Sequence, residues 1–178
     1  MLSIKTSGSV SKILVAGMGN VLRGDDGFGV EVAKKLAEEK LPEGVDVMEA
    51  GIAGISLVQK LFDVYDVLVI LDTMKRGGSP GSIYVVEPEI PKVGLDTLDM
   101  KLVNYLADAH YVEPSKVLTL AKGLGVLPKK VLIVGCEPSM QEKLNIGLTA
   151  PVKEAADKAV GIVLDLLRQE LGYRAAIA

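Results

Sequence analysis

Cysteine and histidine are nearly absent from this chain, with one of each in 178 residues. A lone Cys136 excludes an internal disulfide and fits a reducing, cytoplasmic setting. A lone His110 means that any chemistry needing an imidazole has to use that residue. Excess positive charge is also missing. The net charge of -3 leaves no basic footprint for nucleic acid. No hydrophobic stretch is long enough for a bilayer, the longest aliphatic run being Val67 to Leu71, so no membrane insertion is expected. Met1 to Ser11 is polar, lacks the apolar centre of a secretory signal, and reads as a flexible leader. Aromatics are few at 4%, but 49% of the chain is hydrophobic and 24% charged, which is a globular balance. A chain of this length buries about two-thirds of its unfolded surface. Residues 12–171 are therefore expected to form a single α/β domain, followed by a loose tail over 172–178.

What stands out among the residues present is Gly17-Met18-Gly19-Asn20-Val21-Leu22-Arg23-Gly24-Asp25-Asp26-Gly27, between an apolar run and a helical pattern. The order is strand, glycine-rich turn, helix. A dinucleotide-binding G-x-G-x-x-G turn fails here because Leu22 holds the third glycine position. Asp25 and Asp26, at the expected helix start, would repel a pyrophosphate. The loop reads instead as presenting a carboxylate at the end of a strand.

In chain order, Lys12 to Gly17 predicts a first strand buried on both faces. A helix follows from Asp26 to Glu39, with Phe28, Val32 and Leu36 on one face. Val45 to Glu49 is a short second strand. A second helix is expected from Ser56, with Gln59 completing a capping box and Leu57, Val58, Leu61 and Phe62 inward. Asp66 to Leu71 is a third strand that ends in Asp72, and Ser82 to Val86 a fourth. Only about nine residues connect these two, and a parallel crossover needs about a dozen or more, so strand four is expected antiparallel. Between Glu87 and Ala109, Leu98, Leu102, Tyr105 and Leu106 suit a modest helix. Pro114 and Ser115 open another, with Val117, Leu118, Ala121 and Leu124 inward and Gly125 as its stop. Lys130 to Gly135 is a fifth strand. Thr149 is placed to cap a last helix with the stripe Val152, Ala155, Ala156, Ala159, Val160, Val163, Leu166 and Leu167. The order implies a three-layer α/β/α sandwich.

In such sheets ligands sit beyond the carboxyl ends of the strands, where the first loop and Asp72 are candidates to share one crevice. An acid at a helix start also has a structural role, capping free N–H groups. Two adjacent acids exceed what one cap needs, so Asp25 either caps or turns inward while Asp26 faces the crevice. Asp72, straight after five aliphatic residues, is costly if buried without a partner, whereas as an Asx turn it would simply lead into Thr73. His110 follows Asp108 and is compatible with ligation without demanding it. Two carboxylates and one imidazole form a hard-to-borderline metal set with open positions for water. Cys136 could act as a nucleophile only with His110 as base. The favoured reading is a buried small hydrophobe.

These stretches together resemble the nickel–iron hydrogenase maturation endopeptidases, proteases that trim the C-terminus of the hydrogenase large subunit once its metal centre is loaded. The matching motifs are Gly17-Met18-Gly19-Asn20 with Asp25-Asp26-Gly27-Phe28-Gly29; Leu71-Asp72-Thr73 with Ser79-Pro80-Gly81; Asp108-Ala109-His110 with Pro114; Gly135-Cys136-Glu137-Pro138; and Gly147-Leu148-Thr149. The likeness spans about 12 to 168. It implies a phosphorylase/hydrolase-like fold, a five-stranded mixed sheet of order 2-1-3-5-4 with strand four antiparallel. It also implies that Asp26, Asp72 and His110 bind metal and carry catalysis; the first position is often glutamate in relatives. The metal would be nickel supplied by the precursor, with no organic cofactor and no tightly bound metal at rest. Gly17, Gly19, Asn20 and Asp25 are expected around the substrate, with the Gly17 and Gly19 amides and Asn20 as donors to its backbone or oxyanion. The expected partner is the large-subunit precursor, with 87–109 as the docking segment. Two alternatives keep the same fold: a non-cleaving nickel-sensing chaperone, and a nucleotide-binding domain using the Gly17/Gly19 turn.

Overall fold

The computed structural model describes residues 11–52, 54–91, 114–139 and 146–172. Five strands form one sheet: β1 (Ile13–Met18), β2 (Val45–Gly51), β3 (Val67–Thr73), β4 (Ile83–Val86) and β5 (Lys130–Cys136), in the order β2-β1-β3-β5-β4. The β1/β2, β1/β3 and β3/β5 pairs are parallel and β4/β5 is antiparallel, as the short β3–β4 connection requires. Four helices lie among the described residues: α1 (Phe28–Ala37), α2 (Gly54–Leu61), α3 (Pro114–Gly123) and α4 (Ala150–Glu170).

Strand alternation divides the apolar runs between two cores. Ile13, Val15, Val69, Leu71 and Val134 face α1 and α4, where Phe28, Leu36, Val152, Ala159 and Val163 meet them. Leu14, Ala16, Leu68, Ile70 and Ile133 point the other way, onto Leu57, Val58 and Leu61 of α2 and Leu118 and Ala121 of α3. With an apolar layer on each side, the central strands β1 and β3 have no solvent face, which explains their unbroken aliphatic sequences. The small residues of α4 let it lie close to α1, and Lys35 reaches Asp157 across that seam at 3.0 Å.

Several boundaries differ from the sequence expectations. The first helix starts at Phe28, because Gly24–Gly27 forms a separate 3-10 turn that holds Asp25 and Asp26. The second begins at Gly54, which places Ser56 inside its first turn instead of at a capping-box N-cap. Phe62 lies past the end of α2 and is 59% exposed. Leu124, in the turn after α3, is likewise exposed. Val160 and Leu166 of α4 are only partly buried. Residues 1–10 of the leader, the helix expected around Leu98 to Leu106, and most of the C-terminal tail lie outside the described residues.

Candidate active site

Because β1 and β3 are adjacent and parallel, Gly17 stands opposite Leu71 and both strands open at the same sheet edge. Asp72 is the next residue on β3, paired with Gly135 of β5. It is 8% exposed. Its Oδ1 accepts the Thr73 N–H at 2.7 Å, the local Asx-type contact that its sequence position suggested. Burial pushes the Asp72 carboxyl up to about 7; the Thr73 N–H opposes this, and the charge of Asp26 adds to the rise. The Asp72 carboxyl therefore senses the charge of Asp26 across the crevice.

The first loop is built to bring Asp26 there. β1 shifts register between Gly17 and Met18, and the chain then turns at Gly19 with φ +119°. No side chain is tolerated at Gly19. Besides the positive φ, a Cβ would fall inside the Asp26 carbonyl oxygen and lie 3.7 Å from Asp72 Oδ1. Gly19 thus packs between the Asp26 backbone and the Asp72 carboxylate. Gly17 is pressed against the Gly29 carbonyl, and a Cβ on Gly29 would overlap the Leu71 carbonyl, so α1 sits directly on the ends of β1 and β3. Asp26 is half-buried. Its Oδ2 accepts the Asn20 N–H at 3.0 Å, while Asn20 Oδ1 accepts the Leu22 N–H at 2.9 Å. The Gly19 amide donates to the Gly51 carbonyl. The Gly19 and Asn20 amides would reach an incoming oxyanion only by exchanging these partners.

Neither acid caps α1, whose N-cap is Gly27 with no side-chain bond. Asp25 takes the inward course. It is 7% exposed and accepts the Thr149 N–H at 2.7 Å, the Ser139 N–H at 2.9 Å and the Thr149 hydroxyl at 3.0 Å. It ties the first loop to the end of β5 and the start of α4. This also corrects the role of Thr149: it occupies the N-cap position of α4, but its hydroxyl is drawn to Asp25 and Ser139, with no capping bond to the helix.

Sequence reasoning missed Glu137. Its buried carboxylate accepts the N–H groups of Arg76 (2.8 Å), Gly77 (3.3 Å) and Gly78 (3.2 Å) and the Tyr84 hydroxyl (3.0 Å). The Arg76 N–H above all, with the other donors, holds its carboxyl below the usual glutamate range. Glu137 thereby fixes the loop that leaves Asp72. The signal was present: an acid immediately after an apolar strand, the same pattern that singled out Asp72. Cys136 is fully buried in the α1/α4 core, and burial pushes its thiol up to about 11. That is the state of a small hydrophobe and not of a nucleophile.

The fold thus brings together Asp26, Asp72, Gly19 and Asn20, and turns Asp25 away as a tether. His110 lies outside the described residues. Among the described residues no group of three His, Cys, Asp or Glu side chains is arranged to hold a metal ion. No described helix is long and apolar enough to cross a membrane.

Residues 30–166 match the family described as hydrogenase maturation protease; that span includes Asp72 and His110 and begins after the first loop. The hydrogenase expression/formation protein HupM of Azotobacter chroococcum mcd 1 is 33% identical over 166 residues, which cover 92% of this chain and 75% of the relative. Among solved structures, the hydrogenase 2 maturation peptidase from Thaumarchaeota archaeon SCGC_AB-539-E09 superposes with a TM-score of 0.64 at 36% identity, covering 88% of this chain and 97% of that one. The hydrogenase maturating endopeptidase HybD from E. coli superposes with a TM-score of 0.68 at 27% identity, over 89% and 93% of the two chains. These likenesses extend over most of the chain, and they make the protein a hydrolase: the chain belongs to the hydrogenase maturation protease family.

Proposed function

We propose that the protein is an endopeptidase that removes the C-terminal extension of a nickel–iron hydrogenase large-subunit precursor after nickel insertion, working in the cytoplasm. In this reading Asp26, Asp72 and His110 recognise the nickel already seated in the substrate. The observation that carries it is the pair of acids at one sheet edge. Asp72 is buried at the carboxyl end of β3, its proton held until about pH 7, with Asp26 facing it from the first loop. A buried carboxylate next to a second one is destabilised until a cation arrives, and oxygen donors of this kind suit a divalent metal that also keeps other ligands. His110 supplies the imidazole.

Specificity then resides in the substrate. A precursor without nickel offers the acids nothing to bind, whereas a loaded precursor places its metal between them and its scissile peptide alongside. Water, polarised at the substrate's nickel or deprotonated by a carboxylate, attacks the scissile carbonyl. The C–N bond breaks and the proton passes to the leaving amine. Asn20 and Gly19 border the same space and are placed to meet the carbonyl oxygen after releasing their present partners.

The test is a processing assay with nickel-loaded and nickel-free precursor, following the C-terminal mass loss. Cleavage is expected only of the loaded form, and Asp26→Ala, Asp72→Ala and His110→Ala should each lower it by about a hundredfold or more, the range for removing a group that acts in the transition state. Equal cleavage of both forms would overturn nickel recognition. Binding without cleavage of a verified cognate precursor would favour a chaperone.

A further inference from the structure

We propose that the cleft on the outer side of the first loop is the docking groove for the precursor's C-terminal extension, and that it selects a peptide with aliphatic side chains and net negative charge. This rests on the processing reading above. The cleft encloses about 470 Å³, within the range of sites that take a small ligand or a few residues of peptide. Its walls come from two separate loops: Val21 and Leu22 after β1, and Ile146 to Leu148 before α4. Val21 is 43%, Leu22 59% and Ile146 81% exposed. Three large aliphatic groups facing one cleft form an unpartnered apolar surface, unlike an isolated exposed side chain.

Two features identify the occupant. The first is continuity. Gly24 and Gly27, which line the cleft, are the ends of the 3-10 turn that carries Asp26, so a chain lying here borders the turn that holds that acid. The second is charge. Among the described residues lining the cleft there are two cations, Lys34 and Lys153, against one acid, Glu31; Lys34 lies 3.9 Å from Glu49, and Glu31 lies 3.9 Å from Lys35. The rim therefore favours an anionic segment, although the acids inside the site favour a cation. A substrate that carries its metal at one end and an acidic, aliphatic tail at the other satisfies both. The groove is held in register by Asp25, whose bonds to Ser139 and Thr149 fix the second wall against the first. Docking therefore positions the scissile bond without using the residues that cut it.

The experiment measures steady-state processing of nickel-loaded precursor by the wild-type protein, by Val21→Ser/Ile146→Ser and by Lys153→Glu. It also titrates a labelled synthetic peptide of the extension against each. Both variants should raise KM about tenfold, the effect of losing one or two buried aliphatic groups or a charge pair, with kcat little changed. The Lys153→Glu effect should fade at high salt and the apolar one should not. Peptide affinity should fall in parallel, while the mature large subunit, which lacks the extension, binds all three proteins alike. Unchanged KM and peptide affinity with normal wild-type cleavage would overturn the groove and leave the processing reading intact. Absent cleavage with peptide binding that still depends on Val21 and Ile146 would retain the groove and overturn the processing reading. A change of oligomeric state in the apolar variant, seen by sedimentation, would assign the surface to self-association and overturn the proposal.

Discussion

At the scale of single residues, Asp72 shows how the proposed function is set against stability. Its carboxyl has an ordinary value of 3.8 when the chain is unfolded and about 7 in the fold. Between those values the folded state holds a proton that the unfolded state releases, so the metal-free protein loses stability as pH rises through this window. The loss is complete above about pH 7 and absent below about pH 4. Asp72→Asn, which keeps an oxygen for the Thr73 N–H, is expected to be more stable than wild type at pH 8 by on the order of 2–4 kcal/mol, at about 1.4 kcal/mol per pKa unit. The gain should vanish toward pH 4. Denaturant unfolding of both proteins across that range checks this, and a pH-independent difference would mean that Asp72 keeps its ordinary pKa. The same substitution should abolish processing, so the stabilised variant would be inactive. Glu137 runs the opposite way. Its lowered pKa means that it contributes stability above the ordinary glutamate range, and that contribution is lost as pH falls through its folded value.

At the scale of elements, the helix ends explain most departures from the sequence pattern. α1 starts late because a 3-10 turn intervenes, and this turn frees both acids from capping duty. α2 ends without a glycine. Val64 sits at φ +58° in the left-handed region, its N–H on the Leu61 carbonyl at 3.2 Å, with 76% of its surface exposed. Glycine normally takes this position, and a β-branched residue there costs about 1–2 kcal/mol. Val64→Gly is therefore expected to raise stability by about 1 kcal/mol, seen as a higher urea midpoint at unchanged slope. A lower midpoint would show that the Val64 side chain packs usefully despite its exposure. This end of α2 lies at the opposite edge of the sheet from the acids, so activity should not change.

For the whole molecule, an apolar core covers each face of the sheet, and the described buried carboxylates are met by N–H donors. Purified protein treated with chelator is accordingly expected to keep its Tm to within about a degree or two, since one kcal/mol shifts Tm by about 2–4 °C in a chain of this size. Stoichiometric zinc that resists chelation in freshly purified protein, with a fall in Tm on its forced removal, would instead indicate a resident metal. The outcome bears directly on the proposed mechanism, which needs an empty acid pair waiting for the substrate's nickel.

The sequence by itself determined the layers and the antiparallel course of the fourth strand, while the strand order came with the family resemblance. Apolar runs such as Val67 to Leu71 leave a strand no option but a doubly covered sheet, and a connection as short as the one before Ser82 forces an antiparallel partner. Acids directly after such runs, Asp72 and Glu137, mark the ends of the strands at one side of the sheet. What the residues of the first loop do was decided only by tertiary structure. Asp25 and Asp26 are chemically identical neighbours, and their separation into a buried tether and a crevice acid depends on Ser139 and Thr149, which are distant in sequence. The role of Glu137 likewise appears only once the loop after β3 folds back over the end of β5. Local pattern specifies which groups must be buried or exposed, but the partner of a buried charge is a long-range contact that no local pattern encodes.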